Sequence, residues 1–89
     1  MAALSPRHAA FGAALRALRT ERGLSQEALG ELAGISGNYV GDTERGERNV
    51  SLRILWGLAD ALGVAPHEIL RLTDDHALRA SMRTSPGRR

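Results

Sequence analysis

Apolar residues recur along this 89-residue chain at spacings of three and four, the period of amphipathic helices. The first run follows Ser5 and Pro6, a typical N-cap serine with proline at the first helical position. Gly23 ends the run. The pattern predicts helix 1 over this stretch, with one apolar face made of Phe11, Ala14, Leu15 and Leu18.

Two shorter helices are predicted next. Ser25 caps a helix from about Gln26 to Ala33, and Ser36 caps a helix that starts at Gly37 and stops at Gly46. A glycine turn separates them at position 34, where glycine enters the left-handed conformation without a Cβ penalty. We expect the inward positions to be Leu29, Leu32, Ala33, Val40 and Thr43, and the outward positions of helix 3 to be Gly37, Asn38, Gly41 and Asp42. Two helices of about eight residues joined by a three-residue turn have the dimensions of a helix-turn-helix.

Ser51 caps a fourth helix that ends at Gly63, and Ala65-Pro66 begins a fifth. Because the apolar content drops after residue 72, we expect a domain over residues 1–72. Residues 73–89 would be a C-terminal extension, with a frayed helix over 74–82 and a disordered basic tail over 85–89. No segment has the alternating pattern of a strand, so the predicted fold is an all-α, compact five-helix domain.

Composition narrows the chemistry. The chain has no cysteine, which excludes disulfides, thiolate metal sites and thiol nucleophiles. No apolar run approaches the ~20 residues of a membrane span, and the first residues lack the order of a signal peptide. His8, His67 and His76 lack metal-ligand spacing, and the cap serines have no triad partners. We therefore expect a cytoplasmic protein that is not an enzyme and uses no cofactor or metal.

The charge distribution complicates the interpretation of the helix-turn-helix. The chain has a net charge of +2, and all of its basic residues are arginine. Residues 25–47 contain one arginine against five acidic residues, a net charge of −4, whereas residues 1–24 contain four arginines against one glutamate, a net charge of +3. An acidic helix-turn-helix disfavours DNA binding. Binding requires that its acids point away from DNA or make specific contacts, and that flanking arginines supply the phosphate contacts.

Several sequence phrases occur together in order. Leu-Arg-x-Leu-Arg-x-x-Arg-Gly-Leu-Ser-Gln-Glu-x-Leu runs from Leu15 to Leu29, Glu-Arg-Gly-x-Arg-Asn-Val-Ser-Leu ends at Leu52, and Leu-Ala-x-Ala-Leu-Gly-Val ends at Val64. With these phrases the chain resembles the phage-repressor and Cro type of helix-turn-helix regulator, the xenobiotic-response-element family, over about residues 9–72. Tyr-Val-x-x-x-Glu-Arg-x-x-Arg-Asn, from Tyr39, looks like the small dimeric controller proteins of restriction–modification systems. The resemblance implies a lambda-repressor-like fold.

The resemblance implies that helix 3 enters the major groove of double-stranded DNA. Asn38 would pair with adenine, and the Asp42 carboxylate would accept from cytosine N4. Gly37, which lacks a side chain, would let DNA approach the backbone. The Tyr39 hydroxyl would bond phosphate or lie beside a base; alternatively, this tyrosine is half-buried and bridges two helices.

Phosphate contacts are implied on either side of helix 3. Gln26 stands at the N-terminus of helix 2, whose free N–H groups suit a phosphate. Arg48 and Asn49 follow helix 3 and would grip the backbone of the same half-site; the alternative is a solvated loop. Arg53, with Arg7 or Arg16, is a weaker candidate for the same electrostatic contribution, and Arg45 serves either phosphate or solvent.

Two further sets of residues are assigned to structure. The resemblance pairs Arg19 with Glu44, which locks helix 3 to the core and takes Glu44 away from DNA, while Glu27, Glu31 and Glu47 face solvent. A chain this short cannot bury all of its apolar side chains, so we expect an exposed face on helices 4 and 5 to form a dimer interface. Its candidates are Trp56, Ile69, Leu70 and Leu72.

These expectations predict a sequence-specific DNA-binding transcriptional regulator. It would act as an autoregulatory homodimer on paired half-sites. The alternative is an antitoxin or another protein-interaction module that uses the helix-turn-helix fold and the C-terminal tail to bind a protein partner.

Overall fold

A computed structural model describes residues 2–83 of the chain. These residues form five helices and no strand: α1 Pro6–Glu21, α2 Gln26–Ala33, α3 Gly37–Glu44, α4 Leu52–Leu62 and α5 Pro66–Arg83. The all-α, five-helix prediction is confirmed. The basic tail predicted over residues 85–89 lies outside the described residues.

Serine caps start four of the helices, as the sequence predicted. The hydroxyl oxygens of Ser5, Ser25, Ser36 and Ser51 each accept a backbone N–H from the residue three positions on, at 3.0–3.2 Å. Each cap satisfies one of the free N–H groups of a helix start, a contribution of about 1 kcal/mol. Gly34 closes α2 with φ 79°, which turns the chain into α3.

The core lies where α1, α2 and α4 converge on the start of α5. α1 packs against α5 and α3, and α2 packs against α3 and α4. The buried apolar residues of this cluster are Leu15, Leu18, Leu29, Val40, Leu55, Leu58, Ala59, Leu62 and Ile69. Val40 is the α3 residue in this list, and Gly41 and Thr43 are also buried on the same helix.

Two glycines let the elements around α3 touch backbone to backbone. A Cβ at Gly12 would stand 2.2 Å from the Glu44 carbonyl oxygen, and a Cβ at Gly30 would stand 2.6 Å from the Ile35 carbonyl oxygen. Real Cβ atoms do not approach oxygen so closely. The sequence therefore brings α1 against the end of α3, and α2 against the turn that precedes α3.

Two assignments made from the sequence, one inward and one outward, need correction. Leu32 was expected inside and is 62% exposed. At about 100° per residue, Leu29, Gly30 and Ala33 share the buried side of α2, and Leu32 lies on its flank. Conversely, Gly41 was expected outside and is buried.

The fifth helix includes residues 74–82, for which a frayed helix was expected. It continues past residue 72 without interruption, because Thr73 is buried and donates its hydroxyl to the Ile69 carbonyl at 2.8 Å. Exposed ion pairs of Arg71 with Glu68 and Asp75 support the same turns. The expected division of the chain at residue 72 therefore falls inside α5. None of the helices within residues 2–83 is long and apolar enough to cross a membrane.

Candidate nucleic-acid interface

The outer face of α3 presents polar side chains one helical turn apart. Val40 and Thr43 point into the protein, which leaves Asn38 and Asp42 on the opposite side. Asn38 is exposed, and Asp42 is partly covered by its neighbours. Both base-contact candidates on α3 therefore lie on one accessible face.

Gly37 has a packing role at the start of α3. A Cβ at this position would meet the Cα of Glu27 at 3.0 Å, so a glycine lets α3 start directly against the first turn of α2. The contact of its backbone with DNA stays a prediction.

Asp42 is the centre of a charged cluster in the free protein. Its carboxylate is paired with Arg45 on one oxygen, and its other oxygen accepts from the Arg48 guanidinium at 3.2 Å. The guanidinium carbon of Arg48 lies 4.7 Å from the centre of the Tyr39 ring, in a cation–π contact. Because the arginines are about half exposed, each pair is weak and exchangeable. Asp42 starts as a partner of arginines rather than as a free acceptor.

The ion pair assigned from the resemblance is buried and forked. Arg19 Nε lies 2.6 Å from Glu44 Oε2, and its Nη2 donates to Oε1 at 3.1 Å. The two side chains are only 11% and 5% exposed. The hydrogen bond that Arg19 donates to Glu44 raises the pKa of Arg19 above its ordinary value. The contribution of the guanidinium to stability is therefore present at neutral pH and is lost only as pH rises through the raised pKa of Arg19.

Gln26 joins this network, which the sequence did not reveal. Its Nε2 donates to Glu44 Oε1 at 3.1 Å, and Arg19 also donates to the Leu24 carbonyl at 2.8 Å. The amide keeps one further N–H for an external acceptor, beside the free N–H groups at the start of α2. The network ties α1, α2 and the end of α3 into one unit.

The loop after α3 is joined to the start of α1. Asn49 Oδ1 is hydrogen-bonded to His8 Nε2, and His8 Nδ1 lies 2.6 Å from Ser5 Oγ. The backbone N–H of Leu4 also donates to the Gly46 carbonyl at 2.8 Å. His8 was considered in the sequence only as a metal ligand, and no local signal links it to a residue 41 positions away.

The acids of the helix-turn-helix are largely neutralised locally. Asp42, Glu44 and Glu47 each pair with at least one arginine. Glu47 was expected to face solvent, but its side chain is 16% exposed and pairs with Arg45 at 3.3 Å. Within residues 2–83, Glu27 and Glu31 form no ion pair. Arg7, Arg16 and Arg53 are exposed and have no acidic partner within the described residues.

The apolar surface differs from the predicted dimer face. Ile69 is completely buried, because it lies on the core stripe of α5 with Thr73, and Leu72 packs partly against the core. Trp56 is 53% exposed and Leu70 46% exposed. Leu52, one turn before Trp56 on α4, is also exposed. Ile69 is therefore inaccessible to a partner, and the exposed members of this face are Leu52, Trp56 and Leu70.

Comparison with known proteins matches most of this chain. A family model described as a helix-turn-helix domain matches residues 10–72. An uncharacterized HTH-type transcriptional regulator, y4dJ, of Sinorhizobium fredii is 43% identical over 58 residues, which are 65% of this chain and 75% of that protein. Control protein C.SmaI of Serratia marcescens is 43% identical over 56 residues, 63% of this chain and 67% of that protein.

A solved structure extends the comparison to three dimensions. The restriction-modification controller protein C.AhdI from Aeromonas hydrophila matches with a TM-score of 0.69 and 52% sequence identity, over 70% of this chain and 94% of that one. The matched family segment contains α2, α3 and the loop that carries Arg48 and Asn49.

Proposed function

The chain belongs to the helix-turn-helix family of transcriptional regulators, and from this premise we propose that it is a homodimer that binds specific double-stranded DNA. The observation that carries the proposal is the outer face of α3. It exposes Asn38 beside Asp42, while Glu44, the other acid of this helix, is turned back to Arg19. The acidic balance of this region is then no obstacle to DNA.

Base reading is assigned to two side chains of α3 in the major groove. Asn38 pairs with an adenine edge, and the Asp42 carboxylate accepts from cytosine N4. Asp42 becomes free for this contact when phosphates take over Arg45 and Arg48, which it holds through weak exposed pairs. The Tyr39 ring supports Arg48 during the exchange. With so few reading side chains, DNA shape adds to the discrimination.

Backbone contacts are assigned to residues on both sides of α3. Gln26 offers its remaining N–H together with the N-terminus of α2. Arg48 and the amide of Asn49 grip the strand beyond α3, and Arg53 adds charge from the first turn of α4. These contacts set the position of α3 and supply salt-dependent affinity without reading sequence.

Dimerisation is proposed through the exposed apolar face of α4 and α5. Its exposed members are Trp56, Leu70 and Leu52. Two copies would place their α3 helices in successive major grooves, about 34 Å apart. We infer autoregulation in the cytoplasm, because the similar proteins C.SmaI and C.AhdI carry the name of control or controller proteins.

A binding experiment tests the proposal. Sites are first selected by the full-length protein from random-sequence DNA. The selected site, a scrambled duplex and the DNA upstream of the chain's own gene are then titrated at several salt concentrations. We expect a steep salt slope, discrimination against the scrambled duplex and binding to the upstream DNA. Equal binding to all three duplexes, or none at low salt, contradicts sequence-specific recognition; loss of the upstream site alone contradicts autoregulation.

One observation favours the protein-interaction alternative. Leu78 and Met82 lie one turn apart on the last part of α5, and both are exposed. An apolar pair on a helix surface suits a protein partner. Absence of DNA binding at low salt, combined with co-purification of one stoichiometric protein that Leu78→Arg releases, would favour this function over gene regulation.

A further inference from the structure

A chain of hydrogen bonds runs from the start of α1 to the loop after α3. Ser5 Oγ accepts the backbone N–H of His8 at 3.2 Å and lies 2.6 Å from the Nδ1 of the same residue. On the other side of the ring, His8 Nε2 bonds Asn49 Oδ1. The imidazole therefore connects the cap of α1 to a residue proposed to contact DNA.

The hydrogen-bond inventory decides the direction of each step. Asn49 Oδ1 can only accept, so the Nε2 that faces it carries the proton. In the neutral ring Nδ1 is then an acceptor, and the Ser5 hydroxyl donates to it. An Nε2–H donor selects the oxygen of the Asn49 amide and rejects its nitrogen. Asn49 is thereby held with Oδ1 toward α1, and its Nδ2 has no hydrogen-bond partner within residues 2–83.

We propose that His8 is a positioning residue for DNA binding, which fixes the Asn49 amide with its N–H groups, rather than its carbonyl oxygen, directed to a DNA phosphate. This inference rests on the phosphate role proposed for Asn49. An amide has two orientations of similar shape, of which one attracts a phosphate and the other repels it. A donor on the protein side removes the repulsive orientation before DNA arrives.

Orientation of the Asn49 amide by His8 can be distinguished from simple anchoring of the residues that precede α1. That segment has its own attachment, the bond from the Leu4 N–H to the Gly46 carbonyl at 2.8 Å. The capping bond of Ser5 to the His8 backbone also persists whatever side chain occupies position 8. Removal of the imidazole therefore frees the Asn49 amide and leaves both backbone contacts in place.

Two substitutions at position 8 distinguish the role of Nε2 from the role of Nδ1. Glutamine at position 8 carries its amide nitrogen at about the reach of Nε2, whereas asparagine reaches only about as far as Nδ1. We expect His8→Ala and His8→Asn to weaken binding to the selected site by roughly three- to tenfold per subunit, the scale of ordering one polar side chain. His8→Gln should restore most of the affinity, and all variants should keep the thermal midpoint of the wild type within a few degrees.

A double-mutant cycle and a spectrum complete the test. Asn49→Ala should weaken binding, and His8→Ala/Asn49→Ala should bind no worse than Asn49→Ala alone. In the free protein, His8→Ala should shift the Asn49 side-chain amide resonances, whereas His8→Gln should shift them little. Additive losses, equal behaviour of His8→Gln and His8→Asn, or an unaltered Asn49 amide overturn the inference. If the wild-type protein does not bind DNA while the Asn49 amide resonances still respond to the His8 substitutions, the proposed function is overturned instead.

Discussion

Arg48 has two partners of different chemistry in the free protein, the Asp42 carboxylate and the Tyr39 ring. Both contacts are at the surface, so they restrict the guanidinium without holding it strongly. A DNA phosphate can take the place of the carboxylate while the ring keeps its position. Arg48 is then pre-positioned for the backbone, whereas Asn38, which is exposed on the outer face of α3, remains available to a base.

Substitution of Arg48 and Asn38 should separate phosphate contact from base recognition. Arg48→Ala should weaken binding to selected and scrambled DNA alike and lower the salt slope by about one. Asn38→Ala should instead cost about 1–3 kcal/mol on the selected site and relax the preference at one base pair. Fluorescence titrations across a salt series, on a set of singly substituted sites, provide the measurement. Identical behaviour of the two variants contradicts the assignment.

Asp42→Asn should have opposite effects on specific and non-specific binding. Loss of the carboxylate releases two arginines, so binding to scrambled DNA should tighten by up to roughly fivefold, since an exposed pair is worth at most about 1 kcal/mol. The selected site gains the same charge but loses the acceptor for cytosine N4, so the ratio of specific to non-specific affinity should fall.

Glu31→Gln is the matched control for Asp42→Asn. It removes the same charge from the exposed face of α2, where no arginine is paired with it in the described part of the chain. Equal tightening in both variants would show that net charge alone is responsible and that the ion pairs of Asp42 have no particular role.

At the scale of elements, α3 is a weak helix that depends on its surroundings. It has eight residues and includes two glycines, and isolated helices this short are marginal in water. Three contacts compensate: Val40 in the core, the buried fork of Arg19 on Glu44, and the approach of α1 at Gly12. The reading helix is therefore positioned by α1 and α2 rather than by its own propensity.

Gly12→Ala should test this dependence. Its Cβ would meet backbone atoms at the end of α3, which cannot rotate away, so we expect a loss of about 1–3 kcal/mol in the free energy of unfolding despite the better helix propensity of alanine. Gly41→Ala is the control, because its Cβ meets only the ends of the Gln26 and Arg45 side chains at 3.2 and 3.4 Å. Denaturant unfolding of both variants measures their free energies of unfolding. Equal stability would contradict a backbone contact at Gly12.

The elements were predictable where the signal is local. A serine three residues before the N–H that it caps, or a glycine after an apolar run, lies within one turn of chain, and these features gave the helices nearly to the residue. Leu32 and Ile69 depend on how helices cross, which the periodicity of one helix does not determine. The fork on Glu44 came from the resemblance. The bonds of Gln26 to Glu44 and of His8 to Asn49 join residues far apart in sequence, and no pattern at either position indicates them.

At the scale of the whole molecule, the proposed function requires α3 and the exposed face of α4 and α5 to act together. The described part of the chain measures 45 × 27 × 24 Å. Two copies side by side can therefore space their α3 helices by one turn of DNA, about 34 Å. In the proposed complex, one copy has few phosphate contacts and two base-contacting side chains, so tight binding would require that both half-sites be occupied together.

Trp56→Arg should separate folding from assembly. Trp56 is 53% exposed, so an arginine there fits the free subunit but places two like charges across a symmetric interface. We expect a monomer by analytical ultracentrifugation, an unchanged helical spectrum, and a loss of affinity on paired half-sites that is much larger than on one half-site. Leu78→Arg is the control, since it adds the same charge at a side chain that is 61% exposed on the far part of α5. That variant should remain a dimer. Dimeric Trp56→Arg would place the interface elsewhere, and a dimer lost only in Leu78→Arg would assign it to the end of α5.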